Sequence, residues 1–203
     1  MPKLRAVPTA REPITIKEFY RLIPDWQKAD LIDGVIYMAS PESTENDDIG
    51  GFLYSLMRIY ARIKGLGRVS GSRFAYKLSE RRAPEPDVAF VRTERLHLVH
   101  ATGMTGAPDI VVEIVSDDSE GRDYVLKKQI YQQARASEYW IIDPQGMNVE
   151  FYRLIGGTYQ LVPLEEGRIF RSQMLEGFWL DVEWLFALPL PGAYAKLQEI
   201  LAS

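Results

Sequence analysis

The chain of 203 residues contains no cysteine, which excludes disulfides and cysteine-ligated zinc. Histidine is scarce as well. His97 and His100 are the only two, and they sit in a polar stretch that reads as surface structure rather than as a metal site. No apolar run approaches the roughly 20 residues needed to span a bilayer, so no membrane is expected as a partner. Residues 1–13 are basic but lack an apolar core segment. They read as a flexible arm and not as a secretory signal, and the expected location is the cytoplasm. Positive charge is not in excess. With 24 Lys and Arg against 28 Asp and Glu the net charge is −4, so any nucleic-acid surface must be a local basic patch. What remains is an ordinary globular composition, 46% hydrophobic and 26% charged, suited to one domain over residues 1–203.

Taken in order, Thr15 to Glu18 form a capping box that opens a short helix to about Leu22. Asp30 to Met38 read as a hairpin with an Asp33-Gly34 turn, and Asp30 lies within its first strand. A helix is predicted from about Glu45 to Lys64, with Ile49, Phe52, Leu53, Leu56, Ile59, Tyr60 and Ile63 as its apolar stripe and Gly65 as its stop. Arg68 to Leu78 alternate, with Arg73 and Lys77 on one face. Val88 to Val91 is the next strand, and residues 92–107 read as a polar loop. A β-branched run over 109–115 precedes a helix over about 122–135 and a strand over 139–142, an order that suits a right-handed crossover. A second hairpin turns at Gly156-Gly157, and a helix near residues 194–201 closes the chain. The expected fold is α/β (α+β), a mixed central sheet with an αβββαβ core and extra hairpins.

Chemistry enters at Glu113. The run 109–115 looks like a strand buried on both faces, and burying an unpaired carboxylate there is costly. Glu113 therefore needs a cation, a proton or a donor beside it. Period two places Asp109, Val111, Glu113 and Val115 on one side. If the strand that begins after Asp87 pairs with this one, two carboxylates converge. Two hard oxygen ligands with open positions suit Mg²⁺ or Mn²⁺. Lys127, just inside the following helix, can bring a point charge to the same place. Plainer readings stand beside these: an ion pair between Glu113 and Arg73, a turn role for Asp87, and a solvated helix face for Lys127 and Lys128. Arg73, Lys77, Arg81 and Arg82 form a basic set that suits either phosphate contacts or a solvated strand face.

The acid of Pro86-Asp87, the strand glutamate Glu113 and the downstream Lys127 resemble the PD-(D/E)XK nuclease superfamily. The longer pattern, from Glu85-Pro86-Asp87-Val88 through Ala107-Pro108-Asp109-Ile110-Val111-Val112-Glu113-Ile114 to Glu138-Tyr139-Trp140-Ile141-Ile142-Asp143-Pro144, is similar to its restriction-endonuclease-like Uma-two family. Leu31-Ile32-Asp33-Gly34 and Leu175-Glu176-Gly177-Phe178 also match, so the resemblance spans nearly the whole chain. It implies that Asp87 and Glu113 bind the metal with the backbone carbonyl of Ile114. The superfamily lysine usually sits two residues after the glutamate, where this chain has Val115, whereas the family places it on the next helix, at Lys127. Tyr131, one turn later, would support it. Asp30 would be a further acid, and Glu45-Asn46 falls where many members carry a Glu-His pair. The function so implied is a metal-dependent endonuclease hydrolysing DNA phosphodiester bonds with Mg²⁺ or Mn²⁺. The alternative is a non-catalytic nucleic-acid-binding or scaffold protein on the same fold. DNA is the expected partner, with a homodimer left open.

Overall fold

The computed structural model describes residues 13–24, 27–116 and 119–202. The expected N-terminal arm lies, except for Pro13, outside the described residues. Helix α1 (Ile16–Leu22) starts at the expected capping box, with Thr15 and Glu18 each satisfying the other's backbone. Strands β1 (Ala29–Ile32) and β2 (Val35–Met38) form the expected hairpin. Its turn holds Asp33 at φ 50° and Gly34 at φ 79°, the left-handed pair that a two-residue hairpin loop demands.

Helix α2 (Thr44–Lys64) is capped by Ser43 and stopped by Gly65 at φ 68°. Its buried face carries Ile49, Phe52, Leu53, Leu56, Met57 and Tyr60. Ile59 and Ile63, predicted to belong to this stripe, are instead 43% and 56% exposed. They sit one turn apart, outside the face of the helix that packs on the core.

The stretch predicted as one alternating strand over 68–78 is broken in two. Strand β3 (Gly67–Gly71) belongs to the main sheet, Arg73 turns the chain at φ 65°, and β4 (Ala75–Lys77) enters a separate small sheet. After β5 (Val88–Arg92) the expected polar loop contains a 3-10 turn (Thr93–Leu98) and two short strands, β6 (Val99–His100) and β7 (Gly103–Thr105). Strand β7 pairs with β4 in parallel. Strands of two and three residues are too short to show a periodicity, and β7 is held by β4, about 28 residues earlier.

Strand β8 (Ile110–Ile114) is followed by a π-helical turn (Arg122–Lys127) that runs into α3 (Lys128–Gln133), and then by β9 (Glu138–Asp143). Strands β10 (Asn148–Ile155) and β11 (Thr158–Leu161) make the second hairpin. The chain ends with β12 (Ile169–Arg171), β13 (Trp179–Asp181), α4 (Glu183–Phe186) and α5 (Ala193–Ala202).

The main sheet has the order β11-β10-β9-β8-β5-β3. Strands β8 and β9 run parallel and its other pairs are antiparallel, so the sheet is mixed, as predicted. On one face Val88, Val112 and Trp140 pack against Leu53 and Leu56 of α2 and Leu197 of α5. On the other face Val111, Val115 and Ile141 pack with Tyr131 of α3 and Tyr139. Strand β8 is therefore buried on both sides. Val88 faces Val112 in the β5–β8 register, and one step further the register sets Asp87 opposite Glu113. Among the described residues no helix is long and apolar enough to cross a membrane.

Candidate active site

Glu113 points from the middle of the sheet into the layer under α3 and is 1% exposed. Its Oε2 accepts a hydrogen bond from Lys127 Nζ at 2.8 Å, while its Oε1 has no hydrogen-bond partner among the described residues. Lys127 is itself buried, and its ammonium also lies 3.1 Å from Asp30 Oδ2 and 3.2 Å from Asp123 Oδ1. The π-helical turn carries Asp123 and Lys127 inward together. Such turns are frequent at functional sites, where a wider coil re-aims side chains.

Asp30 comes from β1, with Oδ1 accepting the Glu85 backbone N–H at 2.8 Å and Oδ2 lying 3.7 Å from Arg122 Nε. Asp87 accepts the Ile114 backbone N–H at 2.7 Å and forms an ion pair with Lys28. Lys28 also approaches Glu42, at 3.7 Å. Asn46 Nδ2 donates to the carbonyl of Val115 at 3.0 Å, tying the start of α2 to the end of β8. These side chains line a cavity of about 50 Å³, enough for an ion with a few waters.

Among the described residues, five carboxylates line this cavity (Asp30, Glu42, Asp87, Glu113 and Asp123) against three cations (Lys28, Arg122 and Lys127). Burial pushes the Glu113 carboxyl well above the usual range; Lys127 opposes this, and Asp123, Asp87 and Asp30 reinforce it. Burial also raises Asp123. For Asp30 the cost of burial is outweighed by Lys127 and Arg122, and its pKa is lowered. Burial disfavours the Lys127 ammonium, but Asp123, Asp30 and Glu113 together hold its pKa well above normal. The lysine is charged, and the cluster's shortage of positive charge falls on Glu113.

These residues fit a divalent cation. Glu113 has an orphaned oxygen, Asp87 is its neighbour by register, and the donors are the hard oxygens that Mg²⁺ and Mn²⁺ prefer. Among the described residues no three acidic or imidazole side chains form a ready cage. Mg²⁺ does not require one, since it commonly takes one or two carboxylates and keeps its waters.

Of the residues predicted from sequence, the fold brings together Asp30, Asp87, Glu113, Ile114 and Lys127. Lys127 is not the solvated face of the plainer reading, and the partner of Glu113 is Lys127 rather than Arg73. Ile114 offers Asp87 its N–H. Tyr131 lies buried below the cluster, its ring 5.7 Å from that of Tyr139 and its hydroxyl without a partner. Glu45 is exposed on the first turn of α2 and does not reach the cavity; Glu42 and Asn46 are there instead. The four basic candidates do not line it either. Lys77 pairs with Glu80 at 2.6 Å, Arg82 with Asp33 at 2.5 Å, and Arg73 and Arg81 are exposed.

Lys28, Glu42, Arg122 and Asp123 were not anticipated. Asp123 could have been, because it precedes Lys127 by four residues in a predicted helix. Lys28 and Glu42 carry no sequence signal, since residues far along the chain bring them in: β1 lies against the segment before β5, Leu31 bridging Ala83, and Lys28 reaches both Asp87 and Glu42.

A family model described as "Putative restriction endonuclease" matches residues 16–183. The chain belongs to this family, Uma2. No curated protein matches. A crystal structure from Anabaena variabilis, described as a "putative nuclease belonging to DUF820", aligns over 86% of this chain and 98% of its own. The TM-score is 0.70 and the identity 18%. The Uma2 chain therefore has a restriction-endonuclease-like, nuclease-type fold, with Glu113 on an inner strand of its sheet.

Proposed function

We propose that this Uma2 chain is a metal-dependent endonuclease that hydrolyses DNA phosphodiester bonds. The observation that carries the reading is the unpaired Oε1 of buried Glu113, set in a cavity beside Asp87 and Lys127. Asp87 and Glu113 would hold Mg²⁺ or Mn²⁺, which when bound stabilises phosphate charge and makes water nucleophilic near neutral pH. Lys127 has no lone pair and cannot be a ligand. Its three acidic neighbours keep it charged and hold its ammonium in place, so it can meet negative charge developing on the phosphate. Asp30 and Asp123 position that ammonium. Asn46 fixes the end of β8 on which Glu113 depends.

A second reading has its own support. Each proposed metal carboxylate already has a lysine partner, Lys28 on Asp87 and Lys127 on Glu113. Lysines already seated on both carboxylates suit a nucleic-acid-binding or scaffold protein without turnover.

Nicking of supercoiled plasmid with Mg²⁺ or Mn²⁺ against chelator separates the two. Metal-dependent nicking that Glu113→Gln abolishes supports the enzyme. No cleavage of duplex or single-stranded DNA with either metal supports the second reading.

A further inference from the structure

A second cavity, of about 400 Å³, lies behind the wall of the first. Its lining includes Tyr20, Ile23, Gln27, Arg73 and Glu85. Glu85 belongs to the wall itself. Its backbone N–H donates to Asp30, and its carboxylate accepts the Ala29 N–H at 3.2 Å; Ala29 and Asp30 line the catalytic cavity. The two cavities therefore lie on either side of one layer, the Glu85 segment hydrogen-bonded to β1.

The chemistry of the lining is selective. Glu85 is 7% exposed yet borders the cavity, and an ionised carboxylate only accepts hydrogen bonds. Ala29 occupies one of its roughly four lone-pair sites. Arg73 only donates, and it is presented from the left-handed turn between β3 and β4. Tyr20 is a 43% exposed aromatic ring, a stacking platform that any base can use.

We infer that this cavity is a guanine pocket, which places one base of the substrate strand beside the scissile phosphate. This rests on the nuclease reading for its purpose but not for its chemistry. Guanine alone among the bases offers two adjacent donors, N1–H and the 2-amino group, to one carboxylate. Its O6 and N7 are the acceptors that an arginine reads. Adenine and cytosine each set an acceptor beside their amino group, and thymine has a single donor. A base must leave the stack to enter such a pocket, so guanines in single-stranded or frayed DNA are the favoured ones.

The test uses the full chain in chelator at pH 8, with GMP, IMP, AMP, CMP and dTMP titrated by calorimetry. GMP should bind tightest. IMP, which lacks only the 2-amino group, should bind about tenfold more weakly. Glu85→Gln should abolish the preference, because its amide turns a donor toward guanine's donors. If that variant does not fold, Tyr20→Ala at the exposed rim serves instead and should weaken GMP about tenfold. GMP binding no tighter than AMP and CMP, or binding unaffected in the folded variant, overturns the pocket whatever the protein does to DNA. Selective GMP binding without DNA cleavage keeps the pocket and removes the nuclease reading.

Discussion

Two buried glutamates sit on adjacent parallel strands of the sheet, Glu113 on β8 and Glu138 on β9, and they have opposite fates. Glu138 is fully satisfied. Its Oε1 accepts from the backbone N–H groups of Gln173 and Met174, at 2.6 and 3.3 Å. Its Oε2 accepts from Trp140 Nε1 at 3.0 Å and Ser172 Oγ at 2.9 Å. Those bonds fasten the segment before β13 to the α5 side of the sheet. Burial still pushes the Glu138 carboxyl above its ordinary range, and the donors pull against it. Among the described residues, Glu113 has a single hydrogen-bonding cation on one oxygen and nothing on the other. Burial alone therefore does not mark a site on this sheet. Unused acceptor capacity facing a polar cavity does.

The largest effect should come from the cation between the acids. Lys127→Met leaves Glu113, Asp30 and Asp123 buried around a methyl group. Breaking a buried pair in this way costs about 3–5 kcal/mol, read as a lower denaturant midpoint. Lys128→Met, one residue on, loses a contact with the Tyr152 ring and an attraction to Glu150 at a half-buried site, and should cost about 1 kcal/mol or less. Equal costs for the two would mean that the buried cluster does not hold Lys127. Because the mutant is so destabilised, any loss of cleavage has to be measured under conditions where folding is confirmed. Mg²⁺ should restore part of the lost stability by neutralising the same acids.

The two glutamates themselves give the next test. In Glu138→Gln an amide nitrogen must face donors wherever it turns, at a cost of about 2–3 kcal/mol. In Glu113→Gln the amide can face the orphaned position, and the acid-rich cluster loses one negative charge. That variant should be within about 1 kcal/mol of wild type, or more stable. It should also lose the rise in melting temperature that Mg²⁺ gives the wild type. If Glu113→Gln is the more damaging of the two, the comparison fails and Glu113 is the structural anchor.

Much of this was legible in advance because it is local. Apolar period and turn chemistry placed α2, both hairpins, and the strand–helix–strand unit around Glu113. The PD and later glutamate pattern pointed to Asp87, Glu113 and Lys127. What was hidden depends on distant partners. The break at Arg73 and the short strands β6 and β7 follow from pairing between β4 and β7, which no window of sequence contains. The π-helical turn was hidden for a different reason. Asp123 and Lys127 share a face in an α-helix too, so the sequence looks the same while the geometry at the acids differs. Glu45 is picked out by a motif position, but the chain enters α2 so that Glu42 lines the cavity and Glu45 is exposed.

The smallest expected effect sharpens the comparison at its other carboxylate. Asp87 differs from Glu113 in that its cation, Lys28, is more exposed, at 17% against 3% for Lys127. Lys28 and a divalent ion want the same carboxylate, so they compete. Lys28→Met should therefore tighten Mg²⁺ binding by about fivefold, or about 1 kcal/mol, the scale of one partly exposed ion pair. The apo protein should lose no more than that in stability, because Asp87 keeps the Ile114 N–H. Calorimetric titration of Mg²⁺ into both proteins reads the difference directly. Weaker binding in the variant would show that Lys28 holds Asp87 in its binding position and does not compete, which would make the two carboxylates alike in depending on their lysines.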